Sequence, residues 1–66
     1  MEYVRISDLQ VGDVFIEDCY PEHYTVVEVR GNGVIGEEHK TKERIEFFGE
    51  PPYGPTLVLI RKASNG

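Results

Sequence analysis

The chain has 66 residues, of which 12 are acidic and 7 are basic, so its formal net charge at pH 7 is −5. A chain of this length forms one small domain with a thin core, and its acidic charge opposes attraction to nucleic acid and anionic membranes. The single cysteine, Cys19, excludes an internal disulfide and fits a reducing compartment. The first residues lack the basic flank and apolar run of a signal peptide, and no stretch approaches the roughly 20 apolar residues that cross a bilayer. We therefore expect a cytoplasmic protein.

Six short runs rich in β-branched and aromatic residues are separated by turn-forming residues, and they predict six β-strands. The predicted strands cover residues 3–6, 13–16, 24–30, 33–37, 43–48 and 56–61. Within the first two, Val4 with Ile6 and Val14 with Ile16 alternate as the apolar faces of half-buried strands. A helix over residues 36–48 is the main rival, but that segment lacks an apolar stripe at three-four spacing. A single helical turn near residues 7–10 is favoured instead.

The turns are predicted from glycine, asparagine and proline. Gly12 tolerates positive φ and Asp13 can accept hydrogen bonds from nearby backbone N–H groups, so this pair predicts a tight corner. The Asn32-Gly33 pair predicts a type I′ hairpin turn. Residues 37–43 predict a second hairpin with a charged, solvated tip.

The end of the chain is predicted to contain a loop and a tail. Three prolines in residues 49–55 remove backbone donors, which places this segment in a loop before the last strand. Residues 1–62 are predicted to form one domain, and residues 63–66 a flexible C-terminal tail. Five or six short, mainly antiparallel strands with little helix are best accommodated by a small all-β SH3-like barrel.

Three segments carry a resemblance to a known family. They are Asp8-Leu-Gln-Val-Gly-Asp-Val-Phe15, Tyr24-Thr-Val-Val-Glu-Val29 and Lys40-Thr-Lys-Glu-Arg-Ile-Glu-Phe47. Their turns and apolar spacing resemble the N-terminal SH3-like (KOW-like) domain of translation elongation factor P, which implies a small β-barrel. That family presents a modifiable lysine on the hairpin between its central strands, whereas residues 30–33 here are Arg-Gly-Asn-Gly. The resemblance therefore supports the barrel but not a ribosome-directed function.

Catalytic and metal-binding patterns are weak. Cys19, His23 and His39 supply the elements of a nucleophile and a base, but nothing in the sequence pairs them with an orienting group and an oxyanion site. Two sets of metal ligands can be drawn up, Asp18 with Cys19 and His23, and Glu37 with Glu38 and His39. Neither has the spacing of a tight site, because neighbours on an extended strand point to opposite faces. We expect no enzyme, no metal and no cofactor.

The aromatic residues are the best candidates for binding, because large rings dominate interface hot spots. Phe47 and Phe48 are adjacent, so they cannot both face inward on a regular strand. The loop of residues 51–55 either folds over the outer rings and completes a small core or leaves them open to a partner. The candidate partner-binding residues are Tyr20, Phe47, Phe48 and Tyr53.

The sequence thus favours a non-enzymatic protein-interaction module, such as an adaptor, an inhibitor or an assembly component of the kind that phages and other mobile elements encode. Its contacts are expected to be aromatic and acidic. The alternative is a small barrel that binds nucleic acid or the ribosome through Arg30, Lys40, Lys42, Arg44, Arg61 and Lys62. A homo-oligomer is a third possibility, since the core is thin and edge strands are open to pairing.

Overall fold

A computed structural model describes residues 2–64 as an all-β fold with one short helical turn. The strands are β1 (Glu2–Val4), β2 (Val14–Glu17), β3 (His23–Arg30), β4 (Gly33–Glu38), β5 (Arg44–Phe48) and β6 (Leu57–Arg61). They form one antiparallel sheet in the order β1-β6-β2-β3-β4-β5. The all-β prediction is confirmed, and the rival helix over residues 36–48 is wrong. The helical turn is a 3₁₀-helix at Ile6–Asp8, slightly earlier than predicted.

The sheet curls but does not close. The 3₁₀-helix that follows β1 packs against β4, which brings the two ends of the sheet toward each other. Within residues 2–64, however, β1 and β5 remain the two edges and do not pair with one another. The closed SH3-like barrel predicted from the sequence is therefore not confirmed, and the free edge of β5 becomes important for the functional site.

The core is built around three aromatic rings. Phe15 is completely buried, and its ring centroid lies 5.1 Å from that of Phe47 and 5.6 Å from that of Tyr24. Gly36 makes room for this packing, because a Cβ atom there would lie 3.0 Å from Phe15 and 3.2 Å from Phe47. The alternation of Val14 with Ile16 did not identify Phe15 as the central residue. Val14 and Phe15 are both buried although they face opposite ways, but only Phe15 belongs to the main core cluster.

The β3–β4 hairpin differs from the predicted turn by one residue. Arg30 pairs with Gly33, so Gly31 and Asn32 are the two central residues. Gly31 has a φ of 57°, whereas Asn32 is absent from the residues with positive φ. Positive φ at the first central residue alone is the type II′ pattern, which requires glycine there. The predicted type I′ turn at Asn32-Gly33 is thus wrong, although the hairpin itself is present.

The tip of the β4–β5 hairpin was predicted to be solvated, but it contains one buried residue, Glu38. Its side chain is buried, and its Oε2 and Oε1 atoms accept hydrogen bonds from the backbone N–H groups of Lys40 at 2.8 Å and Thr41 at 3.2 Å. The Lys40 N–H is the main cause of a lowered Glu38 pKa, against the opposing effect of burial. The carboxylate therefore holds the turn together from inside.

Asp13 has a similar role at the corner before β2. Gly12 has a φ of 97°, as the predicted corner requires, and the Gln10 N–H donates to Asp13 Oδ2 at 2.9 Å. Asp13 Oδ1 also accepts a 2.7 Å hydrogen bond from the backbone N–H of Ala63. This bond anchors Ala63, the first residue of the tail predicted over residues 63–66. Residues 65 and 66 lie outside the described part of the chain.

Candidate binding groove

A groove of about 440 Å³ brings aromatic and acidic side chains together beside the edge strand β5. It is lined by Glu17, Glu46, Phe47, Phe48, Tyr53, Gly54 and Pro55. One wall is the second half of β5, and the other is the end of β2 with the loop that leads to β6. Three of the four candidate partner-binding residues thus line one surface.

Phe47 and Phe48 take opposite orientations, as their adjacency predicted. Phe47 is 7% exposed and packs edge-on against Tyr24, with ring centroids 4.9 Å apart. Phe48 is 61% exposed. Phe47 therefore belongs mainly to the core and forms the floor of the groove, whereas Phe48 is the residue that a partner can contact.

Tyr53 projects from the loop rather than covering the groove. Its side chain is 96% exposed, so the loop does not use this ring to complete a small core. The backbone beneath it is constrained, because the N–H groups of Tyr53 and Gly54 both donate to the Glu50 carbonyl oxygen at 2.9 Å. Gly54 also packs directly on Gly49, because a Cβ atom added to Gly54 would lie 2.3 Å from the carbonyl carbon of Gly49. The loop thus presents an exposed ring from a tightly packed turn.

The charged residues that line the groove are both acidic. Glu17 lies at the end of β2, and Glu46 lies two residues before Phe48 on β5. No basic residue is among the described lining residues. Neither glutamate is among the binding residues predicted from the sequence. Glu46 was predictable as a neighbour of Phe48, because residues two apart on a strand share a face. Glu17 was not, because it is far from β5 in sequence and leaves no local pattern.

Tyr20 does not belong to this surface. It is 57% exposed, but it lies beyond β2 in the turn to β3 and does not line the groove. Its backbone N–H donates to the Glu17 carbonyl oxygen at 2.9 Å, which closes that turn. Tyr20 therefore lies next to Glu17 but is not among the residues that line the groove.

The six basic residues of the alternative nucleic-acid site are spread over different elements, and three of them contact carboxylates. Arg30 pairs with Glu28 at 3.1 Å, Arg44 with Glu37 at 3.1 Å, and Lys62 with Asp13 at 3.5 Å. Lys40 and Lys42 lie in the β4–β5 turn, whereas Arg61 ends β6. Each ion pair reduces the positive field that a phosphate would meet.

The candidate catalytic and metal-binding residues do not form a recognisable centre. His23 and His39 approach with ring centroids 6.0 Å apart, but the Nε2 atom of His39 lies 2.8 Å from the Thr25 hydroxyl oxygen. Cys19 is exposed in the β2–β3 turn. Between residues 2 and 64, no three His, Cys, Asp or Glu side chains are grouped as metal ligands. His23 and His39 line a separate pocket of about 420 Å³, and Cys19 is not among its lining residues.

Comparison with known proteins found no matching family model, no matching curated protein and no matching solved structure. In the described residues, no helix is long and apolar enough to cross a membrane.

Proposed function

We propose that the chain is a non-enzymatic protein-interaction module, built on an SH3-like arrangement of strands, that binds its partner in the groove beside β5. The observation that carries this proposal is the position of Phe48 and Tyr53, which are 61% and 96% exposed and line the same groove. Exposed aromatic rings are costly to leave in water and supply much of the binding energy when a partner covers them.

The surrounding structure supports binding by a largely preformed surface. Phe47 anchors the floor of the groove in the core, and the turn at Glu50 fixes the backbone below Tyr53. A surface that is ordered before binding loses less conformational entropy when the complex forms. The groove is open to solvent and not enclosed, which suits a segment of another protein better than a small molecule.

The test is partner capture from lysate of the source cells with the tagged chain, with and without nuclease treatment. Phe48→Ala and Tyr53→Ala should each lose a protein that the unchanged chain retains after nuclease. Tyr20→Ala is the matched control, because Tyr20 is 57% exposed but lies outside the groove. Equal retention by all three variants would contradict the proposal. Loss of every captured protein after nuclease would favour the nucleic-acid alternative.

A further inference from the structure

The groove runs along the free edge of β5. β5 has a neighbouring strand, β4, on one side only within the described sheet. The groove is lined by three consecutive β5 residues, Glu46, Phe47 and Phe48, and by no residue of β4. Consecutive strand residues alternate between the two faces of a sheet, so a surface that touches all three lies at the edge of the strand.

The hydrogen-bonding pattern gives the orientation of the β5 backbone. Glu38 donates its N–H to the Glu43 carbonyl oxygen, and the register continues without a shift from Glu37 opposite Arg44 to Gly33 opposite Phe48. In an antiparallel pair, residues alternate between facing the partner strand and facing away from it. The backbone N–H and C=O groups of Glu46 and Phe48 therefore face the groove. They are free to pair with an added strand.

The charge of the groove indicates the character of that strand. Glu17 and Glu46 lie on its two sides, no basic residue lines it, and the whole chain carries a formal charge of −5. A second copy of this chain would bring a like charge of the same size toward the groove. A basic segment from another protein would instead be attracted to both carboxylates.

We propose that the partner supplies an extended segment with Lys or Arg at alternate positions, which adds to β5 as an antiparallel or parallel strand. This inference rests on the proposed function and names the chemistry of its partner. Backbone pairing with Glu46 and Phe48 would give affinity, and the basic side chains would select the ligand by approaching Glu46 and Glu17. Phe48 shares the face of Glu46, so its ring would lie against the aliphatic stem of a neighbouring basic side chain.

The probe is a fluorescein-labelled heptapeptide of alternating arginine and valine, capped at both ends, with binding followed by fluorescence anisotropy. A second peptide has glutamate in place of each arginine. A third keeps the arginines but carries N-methyl groups on alternate backbone nitrogens, which removes strand pairing without changing charge. We expect the arginine peptide to bind at least about tenfold more tightly than either of the others, since both charge and backbone pairing contribute.

Two double variants separate the groove from the general acidity of the chain. Glu17→Gln with Glu46→Gln should weaken binding of the arginine peptide roughly fivefold, the loss expected for two exposed ion pairs. Glu2→Gln with Glu22→Gln removes the same charge outside the groove and should change the affinity by less than about twofold at physiological salt. Equal effects of the two double variants, or equal binding of the N-methylated peptide, would overturn the inference.

The outcomes for the inference and for the proposed function are distinguishable. A captured protein that depends on Phe48 and Tyr53, combined with no preference for the arginine peptide, would leave the interaction module standing and reject the basic strand. If the aromatic variants retain every captured protein, the groove itself is wrong. The chain without ligand could also dimerise, and Glu46→Lys could change that dimerisation. This result would assign the β5 edge to a second copy and would overturn the proposal of a basic partner.

Discussion

Asp13 and Ala63 lie 50 residues apart in sequence and are joined by a 2.7 Å hydrogen bond from the Ala63 backbone N–H to Asp13 Oδ1. The Asp13 side chain is fully buried, and its other oxygen accepts the Gln10 N–H at 2.9 Å. One carboxylate thus fixes the corner before β2 and the segment after β6. Because β2 and β6 are neighbours, this contact closes the middle of the sheet.

Replacing Asp13 with alanine should therefore destabilise the fold. The change leaves two backbone N–H groups without their acceptor, which costs about 2–4 kcal/mol in the free energy of unfolding. Urea denaturation followed by circular dichroism measures the effect. Asp8→Ala is the control, because Asp8 is exposed in the 3₁₀-helix and should change stability by less than about 1 kcal/mol. Equal stability of the two variants would show that the buried hydrogen bonds of Asp13 contribute little.

Stability should fall in acid because the folded state lowers the pKa of both Asp13 and Glu38. For Asp13, burial alone would raise the pKa, but the backbone N–H groups of Ala63 and Gln10 and the Lys62 ammonium outweigh it. For Glu38, the Lys40 N–H is the main cause. The folded chain binds fewer protons than the unfolded chain, so this stabilisation is complete above the ordinary values of 3.8 and 4.5 and disappears as the pH falls through the folded values.

The measurement is the urea midpoint at a series of pH values from about 7 down to about 2. Asp13→Asn with Glu38→Gln should give a chain that is less stable at neutral pH and has a flatter acid dependence. Glu2→Gln with Asp8→Asn, which removes two exposed carboxylates, is the matched control for the loss of charge. An unchanged slope in the first double variant would contradict the assignment of acid sensitivity to these two groups.

Truncation of the adjacent residues Phe47 and Phe48 should have different main effects, on stability for Phe47 and on partner binding for Phe48. Phe47→Ala removes a ring that packs against Phe15 and Tyr24, and should cost about 3–5 kcal/mol of unfolding free energy. Phe48→Ala removes a mostly exposed ring and should cost less than about 1 kcal/mol while it weakens partner binding. Thermal melting of both variants checks this contrast. A large loss of stability in Phe48→Ala would show that Phe48 has a structural role and would contradict its assignment to the binding surface.

Lys42 is a site where glycine should stabilise the fold. It has a φ of 65°, a left-handed conformation in which the Cβ of a non-glycine residue is strained. Lys42→Gly relieves that strain at some entropic cost and should raise the unfolding free energy by about 0.5–1 kcal/mol. Lys40→Gly in the same turn, where φ is not positive, should lower it by a similar amount. A stability order opposite to this one in urea denaturation would contradict the strain argument.

Local sequence patterns predicted the strands because strand and turn formation depends on residues that are close in sequence. The β-branched residues of β3 favour that strand directly, and the glycines that follow them favour its hairpin turn. The buried roles of Asp13 and Glu38 were not predictable in this way. Asp13 finds its partner 50 residues away, and Glu38 is buried only because the turn folds back over its side chain.

The binding groove was predictable in part for the same reason. The adjacency of Phe47 and Phe48 required one ring to face outward, and the prolines placed Tyr53 in a loop. The strand period does not say which face of a curled sheet is inside, so it could not choose between the two phenylalanines. Nor could it show that Tyr20 lies outside the groove, since the loop position relative to β2 is set by long-range packing.

The most direct test of the groove is an amide NMR titration of the isotope-labelled chain with a partner obtained by capture. The proposal predicts the largest shift changes at the amides of Glu46, Phe48, Tyr53 and Gly54, with Glu17 also affected. Changes centred instead on the β4–β5 turn at Lys40 and Lys42, with the groove amides unmoved, would contradict it.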